Sequence, residues 1–350
     1  MTKEALAFAQ IDNVGAVILH AYQHKASDLH FEPGKAGYHI RMRQDGLLQS
    51  IFVGATHHAA RINTQLKVMA ELDIAEQRVP QDGRISFALD PTHHLNIRVS
   101  TCPTTYGEKI VLRLLDPKAH VRSFLELGLE DAQRELLTQA IGHPNGLILV
   151  TGPAGSGKTT TLYSALSSLN NNARNIATIE DPVEITLAGI NQVPVNVKLN
   201  LSFARALRTL MRQDPDIIMI GEIRDRETAE IAIQAAQTGH LVMSTLHSAS
   251  ALEAINRLAH MGIARYELLS SLHLVVAQRL LRTQTTGRVG VYECLPITSL
   301  TRKYVLSNEF LSYHGLQQHE PVHTLRTAAM NKVKENIVTL AEVNRVIPHD

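Results

Sequence analysis

The run Leu147-Ile148-Leu149-Val150-Thr151-Gly152-Pro153-Ala154-Gly155-Ser156-Gly157-Lys158-Thr159-Thr160 constrains the fold more than any other part of this 350-residue chain. A short apolar stretch, the length of a buried strand, leads into glycines and a lysine at the spacing GxxxxGKT, and a helical pattern follows over 160–169. Strand, glycine loop and helix in that order make a phosphate cradle. Glycines let successive backbone N–H groups turn inward, and the helix N-terminus adds favourable partial charge. Lys158 can then reach the β and γ oxygens of a nucleotide, and the Thr159 hydroxyl can ligate Mg²⁺. The expected nucleotide contacts are Gly152, Pro153, Ala154, Gly155, Ser156, Gly157, Lys158, Thr159 and Thr160, with ATP and Mg²⁺ as the cofactors.

Other apolar runs are spaced as a parallel sheet requires. Ile217-Ile218-Met219-Ile220 delivers Gly221-Glu222 at its C-terminal end, where open α/β sheets bind ligands. Glu222 is therefore the candidate to orient the attacking water, since phosphoryl transfer demands mainly positioning and charge stabilisation. Ile176-Ala177-Thr178-Ile179 ends in Glu180-Asp181-Pro182-Val183-Glu184, whose three carboxylates could each hold magnesium through water; spacing alone does not rank Glu180, Asp181 and Glu184. The run 241–245 is bracketed by His240 and His247, and its end places His247 as a sensor of the γ-phosphate. The pairs His57-His58 and His93-His94 lie in polar, turn-like stretches and are read as solvated.

Before this α/β half, strand-like runs at 28–31, 38–43, 47–52, 84–89, 95–100 and 109–114, with one helical segment, form a small α+β domain. Pro33-Gly34, Asp45-Gly46 and Asp82-Gly83 mark its tight reversals. The expected boundaries are 1–116 for the small domain, 117–122 for a polar linker opened by Pro117, and 123–350 for the nucleotide-binding domain.

Composition narrows the classes. With 44% hydrophobic and 19% charged residues the chain is an ordinary folded protein, and 34 basic residues against 33 acidic ones give no global field to attract nucleic acid or an anionic membrane. Cys102 and Cys294 are too few for a disulfide framework or a tetrathiolate zinc site and are read as reduced, packed thiols. Glu4 and Asp12 interrupt what a secretory leader would keep apolar. The most apolar stretch, 268–281, is broken by Ser270, Ser271, His273 and Gln278, so no direct membrane insertion is expected.

The order of these signatures resembles the GspE/PilB family, the hexameric ATPases of type II secretion, type IV pilus assembly and competence. In the first half the resemblance is carried by Ser27-Asp28-Leu29-His30-Phe31-Glu32-Pro33, Arg41-Met42-Arg43-Gln44-Asp45-Gly46, Pro80-Gln81-Asp82-Gly83-Arg84, Arg98-Val99-Ser100-Thr101 and Gly107-Glu108-Lys109-Ile110-Val111-Leu112-Arg113. In the second half it is carried by the phosphate loop, the aspartate box 180–184, the Walker B stretch 212–225 and the histidine box 238–247. It implies a RecA-like P-loop NTPase domain with a parallel-rich sheet, preceded by a smaller, PAS-like α+β domain. It also implies that Lys158, Glu222, Glu184 and His247 act in catalysis and that Thr159, Glu180 and Asp181 serve the magnesium of the nucleotide. Arg84 and Arg98 match arginines that this family sends from the small domain toward phosphate, where a guanidinium stabilises transferring charge. Arg78, Arg113 and Arg279 are weaker members of that set.

As partners the resemblance implies a homohexamer and an inner-membrane platform protein, with a cytoplasmic chain held peripherally at the membrane through them. The chain is expected to start after the extra N-terminal domain of many members. Only Thr283-Gln284-Thr285-Thr286 stands where many members insert a tetracysteine zinc module, so no structural zinc is expected. Ala154 replaces the usual threonine at a loop position that contributes mainly backbone. Three alternatives remain open: a pilus-retraction ATPase; a DNA-handling ring ATPase, using the stripe Arg205, Arg208 and Arg212; and a non-hydrolysing module switched by nucleotide. Aromatic residues at 4% and the lack of tryptophan argue against nucleic acid, because they leave no stacking platform for single strands.

Overall fold

The computed structural model describes residues 13–91, 93–115, 121–308, 310–318 and 322–348, and the chain divides after residue 120 into two units, each with its own core. Most of the expected linker, 117–120, lies outside the described residues, as does the segment before residue 13.

In the first unit, α1 (Val14–Gln23) precedes β1 (Asp28–Gly34), β2 (Gly37–Gln44) and β3 (Leu47–Gly54); α2 (His57–Met69) then leads to β4 (Gln81–Asp90), β5 (His93–Thr104) and β6 (Gly107–Leu115). The strands form one antiparallel sheet in the order β3-β2-β1-β6-β5-β4. Strict alternation sends Leu29, Phe31, Ile40, Leu95, Ile97, Val99, Ile110 and Leu112 to one face, where they are buried with Val17 and Ile18 of α1 and Ile62 and Leu66 of α2. The other face is polar. Cross-strand pairing there lines up Arg84, Arg98, Arg113, Asp28 and Arg43 in a single row across five strands.

This unit departs from the sequence reading in three respects. Among the described residues it has two helices, because His57-His58 opens α2 and the two rings lie against each other at 4.2 Å rather than sitting in a turn. His93 is buried on β5 against the edge of Tyr22, while its neighbour His94 is exposed. Cys102 is exposed, since it falls on the polar face of β5, so only Cys294 is a packed thiol.

The second unit runs α3 (Asp131–Ile141), β7 (Gly146–Thr151), α4 (Lys158–Leu169), β8 (Ile176–Glu180), β9 (Asn191–Pro194), α5 (Phe203–Leu210), β10 (Ile217–Ile220), α6 (Arg226–Gln237) and β11 (Leu241–Leu246). It continues with α7 (Ala251–His260), α8 (Arg265–Ser271), β12 (Leu272–Arg282), β13 (Arg288–Pro296), α9 (Ser299–Ser307), α10 (Tyr313–Gln317), α11 (Leu325–Lys334) and α12 (Leu340–Val346). Its sheet has the order β13-β12-β7-β11-β10-β8-β9, parallel except for the β12–β13 hairpin. Strands β7, β8, β10 and β11 are buried along their whole length, as a parallel sheet covered on both faces demands, and a separate apolar core packs on each side. The apolar stretch 268–281 divides into the end of α8 and most of β12, and among the described residues no helix is long and apolar enough to cross a membrane.

Candidate functional site

Parallel register sets the site. Thr151 pairs with Leu246, Ser244 with Ile220, and Ile220 with Ile179, so β7, β11, β10 and β8 all end at one sheet edge. The residues that follow those ends are the glycine loop, His247, Glu222 and Asp181, which the sequence scatters across about a hundred positions.

The loop itself is shaped for an anion. Gly152, Gly155 and Gly157 adopt φ of 151°, 75° and 89°, the last two firmly in the left-handed region that side chains disfavour. A Cβ on Gly152 would stand 2.6 Å from the carbonyl oxygen of Gln278, so close approach also requires glycine there. Lys158 opens α4 and folds its ammonium back onto the loop, donating to the carbonyls of Gly152 (2.9 Å) and Pro153 (3.0 Å). Ser156 Oγ is buried with no hydrogen-bond partner. Thr159 and Thr160 are exposed on the first turn of α4, and Pro153 and Ala154 are exposed on the loop. A lysine, an orphaned hydroxyl and a helix N-terminus around left-handed glycines suit a polyphosphate.

Glu222 is half-buried beside this loop. Its carboxylate accepts from Arg224, and His247 Nε2 lies 3.4 Å from Oε2. Burial alone would raise the Glu222 carboxyl, but the bond from Arg224 and the charges of Arg224, His247 and Lys158 together hold it below the usual carboxylate range. Burial pushes the Lys158 ammonium down to about 8, against the raising pull of Glu222 and with Arg279 adding to the fall. The structure thus brings Lys158, Glu222 and His247 into one electrostatic neighbourhood.

The three carboxylates of 180–184 separate clearly. Asp181 stands at the sheet edge and shares Arg224 with Glu222, its Oδ2 at 3.4 Å from Nη1. Glu180 is 3% exposed, and its oxygens accept from Thr178 (2.6 Å), Gln192 (3.0 Å) and the Tyr163 hydroxyl. Glu180 therefore fastens β8 to α4 and β9, and Asp181 is the better placed of the pair for a water-mediated metal. Glu184 lies in the loop beyond, half-buried.

Of the arginines, Arg279 is buried and donates to the carbonyls of Gln278 (2.9 Å) and Ala249 (2.8 Å). Arg84 and Arg98 lie in the first unit as direct cross-strand partners, and Arg113 in the same row is bonded to Asp28 at 3.0 Å. Arg78 is paired with Glu76 in the loop before β4. The stripe on α5 is only partly a stripe: Arg208 pairs with Glu227, and Arg212 lies beyond the helix end and turns back to the carbonyl of Arg208.

Sequence reasoning passed over Arg224 and the latch between Thr151 and Ser248. Arg224 stands two residues from Glu222 in Gly221-Glu222-Ile223-Arg224, a spacing that carries no strong signal by itself. Ser248 donates its N–H to Thr151 Oγ1 at 2.9 Å and their hydroxyls lie 2.6 Å apart, tying the His247 loop to the end of β7.

The family model for type II/IV secretion system proteins matches residues 5–286. The type IV pilus assembly ATPase PilB of Acinetobacter baylyi is 42% identical, with 95% of this chain and 65% of the relative aligned. Type II secretion system protein E of Dickeya dadantii is 53% identical over 77% of this chain and 54% of its own length. The chain thus spans less than two thirds of these curated relatives. Among solved structures, the pilus retraction motor PilT with bound ADP is 29% identical with a TM-score of 0.69, covering 96% of this chain and 97% of that one. The ATPase DotB of Legionella pneumophila, 22% identical, shares the fold at a TM-score of 0.75 over 94% of both chains.

Proposed function

The chain belongs to the type II/IV secretion system protein family, and from that membership and the site geometry we propose that it hydrolyses Mg-ATP as the motor of a secretion or pilus-assembly apparatus. The observation that carries this reading is the convergence of Lys158, Glu222 and His247 on the glycine loop at one sheet edge.

In this reading the loop amides and Lys158 bind the β and γ phosphates. Glu222, kept ionised by Arg224, accepts the proton of the attacking water, and His247 beside it registers the γ-phosphate. Thr159 would hold magnesium, with Asp181 supporting it through water; the ion, when bound, supplies neutralisation of phosphate charge. Arg84 and Arg98 of the first unit would complete the charge on the transferring group. Six copies closing a ring, acting on an inner-membrane platform protein, would turn the chemical step into movement of the two units, with the chain held at the membrane only through that partner.

The test is direct. Lys158→Ala should abolish both nucleotide binding and turnover, and a variant that hydrolysed ATP at the normal rate would remove the basis of the proposal. A retraction motor is the second reading, since PilT shares the fold at 29% identity with a TM-score of 0.69. Deleting the gene separates the two: loss of pili or secretion marks assembly, whereas normal pili that cannot retract mark the alternative.

A further inference from the structure

β12 neighbours β7, and its Ala277 pairs with Thr151, so the next residue, Gln278, lies directly beneath the glycine loop. Gln278 is 1% exposed in a strand that is otherwise almost wholly apolar up to that point from Leu274. Burying an amide is costly unless its groups are bonded, and a leucine or methionine would fill the space without that cost. Both ends of this amide are used. Nε2 donates to the carbonyl of Ser156 at 2.7 Å, and Oε1 accepts from Thr161 Oγ1 at 2.8 Å, which fixes which way the amide faces. A Cβ on Gly157 would come within 3.2 Å of Nε2, so the side chain also occupies the underside of the loop at its left-handed glycine.

The peptide between Ser156 and Gly157 is planar and trans, so its carbonyl and its N–H point in opposite directions. Holding the Ser156 carbonyl down onto Gln278 turns the Gly157 N–H up, toward the side on which the loop presents its donors. We propose that Gln278 is a positioning residue for phosphate binding: its amide, itself oriented by Thr161, sets the direction of the Gly157 N–H and keeps the cradle preformed. Arg279 supports this from the same strand by bonding the Gln278 carbonyl and that of Ala249, beyond His247. The inference rests on the nucleotide reading of the site and adds to it a residue outside the glycine loop.

Two variants test it in the full chain, with ADP as the probe. Gln278→Met keeps volume and removes the donor; Gln278→Glu keeps the acceptor for Thr161 and sets a carboxylate oxygen against the Ser156 carbonyl. Each should weaken ADP binding about tenfold or more, the glutamate variant further, and raise the KM for ATP while kcat changes less than about threefold. For Gln278→Met the melting temperature without nucleotide should stay near that of the wild type and the rise on adding ADP should shrink, whereas Gln278→Glu, which buries a carboxylate oxygen against a carbonyl, should also melt lower. Wild-type chain that binds ADP while Gln278→Met binds it equally well would overturn the inference and leave the nucleotide reading standing. So would a loss of binding in Gln278→Met accompanied by an equal loss of nucleotide-free stability, because that marks a packing role. Wild type that ignores ADP would overturn both.

Discussion

Lys158 combines charge chemistry with a structural constraint. Its ammonium is buried, held by two loop carbonyls, and titrates at about 8, below the ordinary lysine range. Below that pH the cation is present before nucleotide arrives; above it, a polyphosphate must restore the proton by its own negative charge. Nucleotide binding should therefore take up a proton increasingly as pH rises through about 8, and affinity should fall over the same range. Calorimetric titration with ADP in two buffers of different ionisation enthalpy at pH 7 and 9 reads this directly, and identical heats in both buffers at pH 9 would contradict it. Glu222 gives the complementary case. Arg224, His247 and Lys158 keep it ionised, so Glu222→Gln should preserve ADP affinity while lowering turnover by roughly 10²–10⁴, the usual worth of a general base. Equal loss of binding and turnover would instead assign Glu222 to charge balance in the ground state. The type of each residue was legible from motif spacing. That Arg224 and Gln278 belong with them was not, because an arginine two positions along and a glutamine in an apolar strand acquire meaning only from what lies across the sheet.

Among the elements, α12 shows how the end of the described chain is fastened. Glu342, 4% exposed, accepts from the backbone N–H and guanidinium of Arg282 at the end of β12 and from Nε and Nη2 of Arg345 one turn along the helix. Burial would raise this carboxyl, but the bonds from Arg345 and Arg282 outweigh it and hold it down at about 2. A carboxylate depressed in the folded state adds stability above its unfolded value and loses it as pH falls toward the folded one. The contribution should thus be complete at neutral pH and disappear between about 4.5 and about 2. Both arginines are more than a third exposed, so screening reduces the pair energies. Glu342→Gln should cost about 1–2 kcal/mol, a fall of a few degrees in thermal midpoint at pH 7. The variant and wild type should converge near pH 2.5; an unchanged gap there would assign the effect to packing. Elements themselves were read unevenly from sequence. All six strands of the first sheet were anticipated, because alternation is a local signal. Only one helix was anticipated there, because α2, His57-His58-Ala59-Ala60-Arg61-Ile62-Asn63-Thr64 in its first eight residues, is polar over its first turns and buries its side chains only from Ile62 onward, at Ile62, Leu66 and Lys67.

The whole molecule places its basic row and its phosphate loop in different units. Arg84 and Arg98 stand on the polar face of the first sheet, and Lys158 and Glu222 at the edge of the second. If copies assemble into the proposed ring and the site is complete only there, turnover per chain depends on assembly. Specific ATPase activity should then rise steeply with protein concentration, in step with the mass seen by sedimentation. Activity that is flat from dilute monomer to assembled ring would mean that each chain works alone. Arg98→Ala offers the matching local test at this scale: it should lower kcat by a factor of about 10³ or more if its guanidinium reaches transferring phosphate, with little change in nucleotide affinity.

By itself the sequence determined the chemistry that a strand-loop-helix with GxxxxGKT can support, the parallel α/β class, the alternating sheet before it and the family, since each of these is written in residues close together along the chain. Tertiary structure alone decided which carboxylate faces the loop and which is spent inside the sheet, that Cys102 is exposed and His93 is not, and that Gln278 braces the cradle from below. The reason is physical: spacing specifies local conformation, whereas the partners of a buried polar group come from strands that only the sheet's register makes neighbours.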